Sequence, residues 1–138
     1  MNAAEARARF AAARVARLAT ADASRHPHLV PIVFAVAGDT IYSAVDGKPK
    51  RTTALRRLAN LAANPAVAVL VDHYDDADWN DLWWVRADGT GRVLAPDHAE
   101  ARRAVALLAE RYLQHRESPP TGPVLAVDVT RWSGWAAR

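Results

Sequence analysis

The stretch that decides the fold reads HLVPIVFAVAGDTIYSAV and runs from His28 to Val45. Both halves are rich in β-branched and aromatic residues, and Gly38-Asp39 between them is a two-residue hairpin signal. The stretch therefore predicts two antiparallel strands, His28–Ala37 and Thr40–Val45, that follow one another without a helix.

Further strands are predicted on both sides of this hairpin. Before it, Arg17–Thr20 reads as a short strand, and after it Ala66–Tyr74 is a near-continuous Val, Leu and Ala run, typical of a strand covered on both faces. Two more hairpins are expected from their turn residues and alternation. They are Leu82–Arg86 with Thr90–Leu94 across Asp88-Gly89, and Val124–Val129 with Arg131–Trp135.

Three helices are predicted at the periphery of these strands. Asn2 can cap the first, which runs to about Val15, and the second opens at Thr52-Thr53 and stops at Asn64-Pro65. Asp97 with Glu100 forms a capping box for the third. Sequential strands with few helices favour a mainly β fold, a small antiparallel barrel with peripheral helices, over a doubly wound parallel sheet.

Length and composition exclude several classes of function. We expect a single domain over residues 1–138. The net charge of +3, from 18 basic and 15 acidic residues, does not indicate a particular class of binding partner. We expect the protein to bind neither nucleic acid nor a membrane. The absence of cysteine excludes disulfides and a catalytic thiol, and no metal site is expected. No secretory signal is recognisable, so the cytoplasm is the expected compartment.

A cationic loop lies between the strand ending at Val45 and the second helix. It contains the only two lysines of the chain, Lys48 and Lys50, followed by Arg51. No acidic residue occurs from Gly47 to Val71. Because the first backbone N–H groups of a helix are unpaired and the helix dipole adds positive charge there, this placement predicts a phosphate-binding site, with an ordinary solvated turn as the alternative.

The order of these motifs resembles a known family. Tyr42-Ser43, the lysine loop, Leu58 and the run from Asn64 to Val69 are similar to the strand, cation, helix and Asn-Pro-strand block of split-barrel flavin proteins related to pyridoxamine 5′-phosphate oxidase. Lys48-Pro49-Lys50 together with the tryptophan-dense block from Trp79 to Arg86 resembles, more narrowly, the branch of oxidoreductases that depend on the deazaflavin coenzyme F420.

The resemblance implies a split β-barrel, a homodimer with the cofactor at the subunit interface, and hydride transfer between the deazaflavin and an unsaturated organic acceptor. It implies that Lys48 and Lys50 bind the phosphate, and Arg51, Arg56 and Arg57 are candidates for contacts to the acidic tail. Pro31 and Ile32 would meet the cofactor ring through their backbone. Ser43 belongs to the same motif, and the hard chemical step is left to the cofactor, so no catalytic residue is assigned.

The role of one further residue stays open at this level. Arg86 has two equally supported roles, an ion pair with Asp88 or Asp128 and a contact to a cofactor carboxylate. Trp79 and Trp84 are expected at the subunit interface.

The cofactor itself has an alternative. Flavin-phosphate oxidases carry an arginine where this chain has Val30, which removes one expected ligand of flavin mononucleotide (FMN) and favours the deazaflavin. An FMN-binding protein similar to the phosphate oxidase is therefore the alternative, and a flavin or haem carrier without turnover is a further one.

Overall fold

The computed structural model describes residues 1–45 and 51–138, with side chains throughout except at residues 51–55. Lys48 and Lys50 lie outside the described residues. The elements in chain order are α1 Ala3–Ala12, β1 Ala16–Ala21, β2 Pro27–Ile32, β3 Ala35–Ala37, β4 Thr40–Ala44, α2 Arg51–Ala63, β5 Ala66–His73, β6 Trp83–Leu94, α3 Ala99–Arg111, α4 Leu113–Glu117 and β7 Val124–Ala136. A short 3-10 turn, Trp79–Asp81, precedes β6.

The seven strands form one antiparallel sheet in the order β2-β1-β5-β6-β7-β4-β3. The two end strands, β2 and β3, are separated in the chain only by Val33 and Phe34. Since two residues span only a few ångströms, the sheet has to curl until its ends meet, as in a barrel. The predicted mainly β, antiparallel fold with peripheral helices is confirmed.

The first predicted hairpin is confirmed with a change upstream. Val36 pairs with Ile41 and Ala37 with Thr40, and Gly38 at the turn has a φ of 60°. The expected strand His28–Ala37 is divided into β2 and β3 because Val33 and Phe34 leave the ladder. There Tyr112 from the end of α3 accepts from the Phe34 N–H at 3.2 Å and donates to the Phe34 carbonyl at 3.0 Å.

The other two predicted hairpins are wrong. The residues assigned to the first form the single strand β6, and those assigned to the second form the single strand β7. The two expected turns lie opposite each other: Asp88 pairs with Arg131 and Gly89 with Val129, which leaves Thr130 as an extra residue. Both turn signals therefore mark one β-bulge between two long strands.

The barrel interior is apolar, and α1, which contacts β6 and β7, packs against it. Phe10 of α1 is 0% exposed and its ring packs against Phe34 and Trp132, with centroid distances of 4.9 and 5.2 Å. In β5 the side chains of Val67, Val69 and Val71 enter this core. The intervening residues of β5 point outward, so the prediction that this strand is covered on both faces is wrong for the single chain.

Helix α3 packs on the sheet through a second, smaller cluster that includes Leu94, Ala101, Ala104 and Val124. The residue capping α3 is His98, whose ring accepts from the N–H of Glu100, and not Asp97 as predicted. The carboxylate of Glu100 belongs instead to a polar network on the sheet.

That network joins four elements through Arg92. Its guanidinium donates to both oxygens of Glu100, at 2.8 and 2.7 Å, and to both of Asp128, at 2.7 and 3.1 Å. Tyr42 donates to Glu100 at 2.6 Å. The Arg92 and Tyr42 hydrogen bonds lower the pKa of Glu100 to about 2, and burial with the Glu100 bond raises that of Tyr42 to about 12.

This network predicts a loss of stability in acid. Because the pKa of Glu100 lies below its ordinary value of 4.5 in the native protein, the stabilisation is complete above that pH and is lost as the pH falls toward about 2. Glu100→Gln should lower the free energy of unfolding at neutral pH by about 2 kcal/mol and flatten its acid dependence. Urea unfolding from pH 7 to pH 2 measures both effects. Glu110→Gln, at an exposed position of α3, is the control and should follow the wild type.

Candidate functional site

Arg56 and Arg57 are the two predicted binders of the acidic tail whose side chains the structure describes, and Arg57 is the less exposed of them. It lies on α2, which contacts β1 and β6. A buried hydrogen bond of 3.0 Å from Asn60 to Thr20 holds this helix against β1. The side chain of Arg51, the first residue of α2, is outside the described part.

The guanidinium of Arg57 is partly buried, and no counter-charge for it is found among the described residues. Its Nε is buried and has no hydrogen-bond partner among the described residues, and no described carboxylate forms an ion pair with it. Burial lowers the pKa of Arg57. A cation that loses hydration without gaining a partner is energetically unfavourable, so this position fits an anionic group.

Ser43 is placed inside the structure. It is 4% exposed, and its hydroxyl donates to the Val33 carbonyl at 2.9 Å. That bond fixes the chain immediately after Pro31 and Ile32, the two residues expected to meet the cofactor ring. The observed role of Ser43 is therefore to hold the end of β2 in position.

Pro31 and Ile32 point to opposite sides of β2. Pro31 is exposed, whereas Ile32 is buried in the barrel. The described residues make no ladder on the outer side of β2, since β1 is its only neighbour in the sheet. Because Pro27 and Pro31 lack N–H groups, the free edge offers mainly carbonyl oxygens to a ligand and is protected from pairing with another strand.

Pro31 and Arg86 lie in one row across the sheet. Pro31 pairs with Arg17, Arg17 with Leu70, and Leu70 with Arg86, so the four side chains share one exposed face. Three strand spacings separate the ends of the row by roughly 14 Å. Pro31 and Arg86 therefore share a surface but are too far apart to contact the same small group.

Arg86 is engaged within its own strand. Its Nε donates to Asp88 at 3.0 Å, and its guanidinium lies 5.9 Å from the ring centroid of Trp84. Asp128, the other expected partner, pairs with Arg92 instead. Of the two roles left open by the sequence, the ion pair with Asp88 is present in the structure.

The exposed face of the sheet is apolar in large part. We call it the outer sheet face, and it extends over β2, β1, β5, β6 and β7. Trp84 pairs with Trp135 across β6 and β7, and these are 36% and 49% exposed. Leu70 is 37% and Leu29 is 66% exposed. Trp79, in the 3-10 turn, is also exposed, whereas Trp83 packs against the core.

Sequence reasoning missed Arg17, Leu70 and Trp135 as members of this face. The alternation of β5 carried a signal, because Leu70 falls on the side opposite Val67, Val69 and Val71. The Arg92 network was also missed, since its members come from three distant parts of the chain and no local motif joins them.

Comparison with known proteins fits this arrangement. The profile of pyridoxamine 5′-phosphate oxidase matches residues 3–136, which is nearly the whole chain. The chain belongs to the pyridoxamine 5′-phosphate oxidase family. The resemblance stated from its sequence motifs is thereby confirmed at the level of the family, and the split-barrel fold follows from it.

Solved structures of similar fold carry different descriptions. A FAD-binding protein from Mesorhizobium loti is 22% identical, with a TM-score of 0.73, and the match covers 97% of this chain and 94% of that one. The haem storage protein HutZ from Vibrio cholerae is 17% identical, with a TM-score of 0.71 and coverage of 99% and 95%. A FAD-binding protein from Mycobacterium smegmatis is 19% identical, with a TM-score of 0.64 and coverage of 98% and 94%. At these identities the likeness shows the fold.

No curated protein gives a significant match to the chain. Among the helices that the structure describes, none is long and apolar enough to cross a membrane.

Proposed function

We propose that this member of the family is an oxidoreductase that binds coenzyme F420 and transfers a hydride to an unsaturated organic acceptor. The observation that supports it most directly is the partly buried guanidinium of Arg57, on the helix after the lysine loop, for which the described residues supply no carboxylate partner. A cofactor phosphate or carboxylate there would supply the charge that the described residues lack.

The proposed binding residues contact different parts of the cofactor. Lys48 and Lys50 bind the phosphate from the loop, and Arg51 and Arg57 bind the acidic tail from α2. The free edge of β2 at Pro31 and Ile32 meets the ring through its backbone, with Ser43 holding that edge in place. Arg86 lies farther along the outer sheet face and contacts the cofactor only if it leaves Asp88.

The chain's own contribution to the reaction is positioning and the exclusion of water. The bound deazaflavin supplies the hydride, so the protein needs no nucleophile or acid–base pair. The barrel provides a rigid wall, and the apolar outer sheet face provides a surface from which water can be removed when it is covered.

Val30 bears on the choice between the deazaflavin and FMN. Its side chain packs against the barrel core and offers no hydrogen-bond donor, where FMN-binding phosphate oxidases have an arginine. A cofactor that relies on several cations from α2 and its preceding loop is therefore favoured, and FMN is the alternative.

Titration with each cofactor tests this proposal. Purified protein should bind F420 more tightly than FMN. Arg57→Gln should weaken F420 binding by about 1–3 kcal/mol, because one charged hydrogen bond is lost, and Lys48→Ala and Lys50→Ala by a similar amount each. Fluorescence quenching of the deazaflavin gives the dissociation constants.

Arg56→Gln is the matched control for Arg57→Gln. Arg56 is adjacent on α2 but exposed, so its replacement should change the affinity much less. Equal affinity of the Arg57→Gln variant and the wild type would remove Arg57 from the site. Tighter binding of FMN than of F420 would favour the alternative cofactor.

A carrier without turnover is the second candidate, and the similarity of fold to the haem storage protein HutZ favours it. Anaerobic mixing of the protein and reduced F420 with quinone acceptors separates the two. Faster oxidation of reduced F420 than in protein-free solution indicates an enzyme. Stable binding of the cofactor or of haem, with no increase in the oxidation rate, indicates a carrier.

We further propose that the protein is a homodimer through the outer sheet face, with the cofactor at the interface. The exposed Leu29, Leu70, Trp84 and Trp135 form an apolar surface that the described helices leave uncovered. The apolar composition of β5 on both sides is then explained, since a partner subunit would cover the outer side.

Replacing Leu70 by Asp should convert the dimer into monomers, because the charge would be buried at the centre of the proposed interface. Sedimentation equilibrium measures the change. Leu113→Asp is the control, since Leu113 is 62% exposed on α4 and lies outside the outer sheet face. A monomeric wild type, or a dimeric Leu70→Asp variant, would contradict the proposed interface.

A further inference from the structure

A cavity lies at the opposite end of β6 from α2. Its volume is about 380 Å³, within the range of small-molecule sites. Leu61 of α2 is next to Gly91, so the cavity, at Trp83, is separated from that helix by roughly 25 Å along the strand. Its wall includes Arg9, Asp78, Asn80, Asp81, Trp83 and Arg138.

Most charges in the wall of this cavity are already paired. Arg138 donates to Asp78 at 3.1 Å and to the Asn80 carbonyl at 3.0 Å. Asp78 also accepts from the Asn80 N–H at 3.0 Å. Asp81 lies 3.0 Å from the ring of His73. These contacts fix the shape of the wall and leave little unsatisfied charge on it.

Arg9 differs from the other charged residues of the wall. Its guanidinium lies 5.3 Å from the ring centroid of Trp83, and no ion pair with a carboxylate of the described residues involves it. Stacking on an aromatic ring holds a guanidinium in place while its N–H groups at the edge stay available. The cavity therefore contains one oriented cation with donors to offer.

We propose that this cavity binds a small, polar, monoanionic organic carboxylate through Arg9. The planar guanidinium matches a carboxylate with two parallel hydrogen bonds. The carboxylate of Asp81, whose partner is the His73 ring and not an arginine, repels a phosphate dianion more strongly than a monoanion. The predominance of polar groups favours a hydroxy or keto acid over an apolar one. The inference is independent of the proposed cofactor site.

Lactate, its neutral analogue lactamide and inorganic phosphate are the probes. In nitrogen-15 NMR titrations of the full chain, lactate should shift the indole signal of Trp83 and the amide signal of Asn80 at millimolar concentration. Lactamide should leave them unchanged, and phosphate should bind more weakly than lactate. An absence of shifts with lactate, equal shifts with lactamide, or tighter binding of phosphate would each overturn the proposal.

Arg9→Gln should weaken lactate binding by about tenfold or more, because the charged pair is lost. Arg7→Gln is the matched control on the same helix: Arg7 is exposed, pairs with Asp39 and does not line the cavity, so binding should be unchanged. Arg9→Lys, which keeps the charge, should retain more affinity than Arg9→Gln at equal thermal stability. Wild-type affinity in Arg9→Gln would overturn the role of Arg9.

Discussion

Replacing Phe10 by Ala should lower the free energy of unfolding by about 3–5 kcal/mol. Phe10 is fully buried and contacts two aromatic rings, so the substitution leaves a cavity lined by Phe34, from the connection between β2 and β3, and by Trp132 of β7. Since single domains are stable by about 5–15 kcal/mol, the variant should unfold at a much lower urea concentration. Urea unfolding followed by tryptophan fluorescence measures the shift.

Two variants show whether the loss comes from the cavity. Phe10→Leu retains much of the buried volume and should lose less than half as much stability. Val15→Ala removes apolar atoms from a position that is 42% exposed near the end of α1 and should change little. If Phe10→Ala lost less than about 1 kcal/mol, α1 would not be part of the cooperative core.

The elements that the sequence predicted best are those with a local chemical cause. Gly38 adopts the positive φ that its hairpin turn requires, and the turn lies where expected. Asn64-Pro65 ends α2, and the Asn64 side chain accepts from the Ala66 N–H at 3.1 Å, which starts β5. In both places the residues that decide the structure are neighbours in the chain.

The outer sheet face could not be predicted in this way. Its central row joins Arg17, Pro31, Leu70 and Arg86, and their proximity depends on the strand order, which places β5 beside β1. A single sequence indicates which residues alternate within a strand but not which strands are adjacent. Trp84 was expected at an interface, whereas Leu70, which lies on the same face in the neighbouring strand β5, was not.

The candidate cofactor site was predicted as a set of cations, and the sequence could not separate their environments. Arg56 and Arg57 are adjacent and chemically identical. Docking of α2 against β1 and β6 buries Arg57 in part and leaves Arg56 exposed. Burial of one guanidinium, and not the number of cations, makes this position suited to an anion.

The turn residues Asp88-Gly89 show that the same local sequence signal occurs in two kinds of structure, the hairpin turn and the β-bulge. Glycine is common both in hairpin turns and at β-bulges, and the local sequence does not distinguish them. Here the bulge residue Thr130 on β7 donates through its hydroxyl to the Asp88 carbonyl at 3.1 Å. Pairing with β7 therefore decides that β6 continues as a single strand through Gly89.

Replacing Gly89 by Ala should lower the free energy of unfolding by at least about 3 kcal/mol, a larger loss than most overpacking substitutions. A Cβ at this position would overlap the Asp128 carbonyl oxygen and lie 3.0 Å from the Cα of Val129. Both are backbone atoms, so no side-chain rotation relieves the overlap, and β6 and β7 have to separate at the bulge. Thermal and urea unfolding measure the loss.

Gly38→Ala separates this steric effect from the conformational freedom of glycine. A Cβ at Gly38 meets nothing within 4 Å, but its φ of 60° is unfavourable for alanine, so a loss of about 1 kcal/mol is expected. If the two variants lost equal stability, the close approach of the strands at Gly89 would not be the cause. A larger loss at Gly89 than at Gly38 means that β6 and β7 lie too close together to accept a side chain. Asp128 provides the carbonyl of this close approach, so the same bulge holds in place the carboxylate that pairs with Arg92.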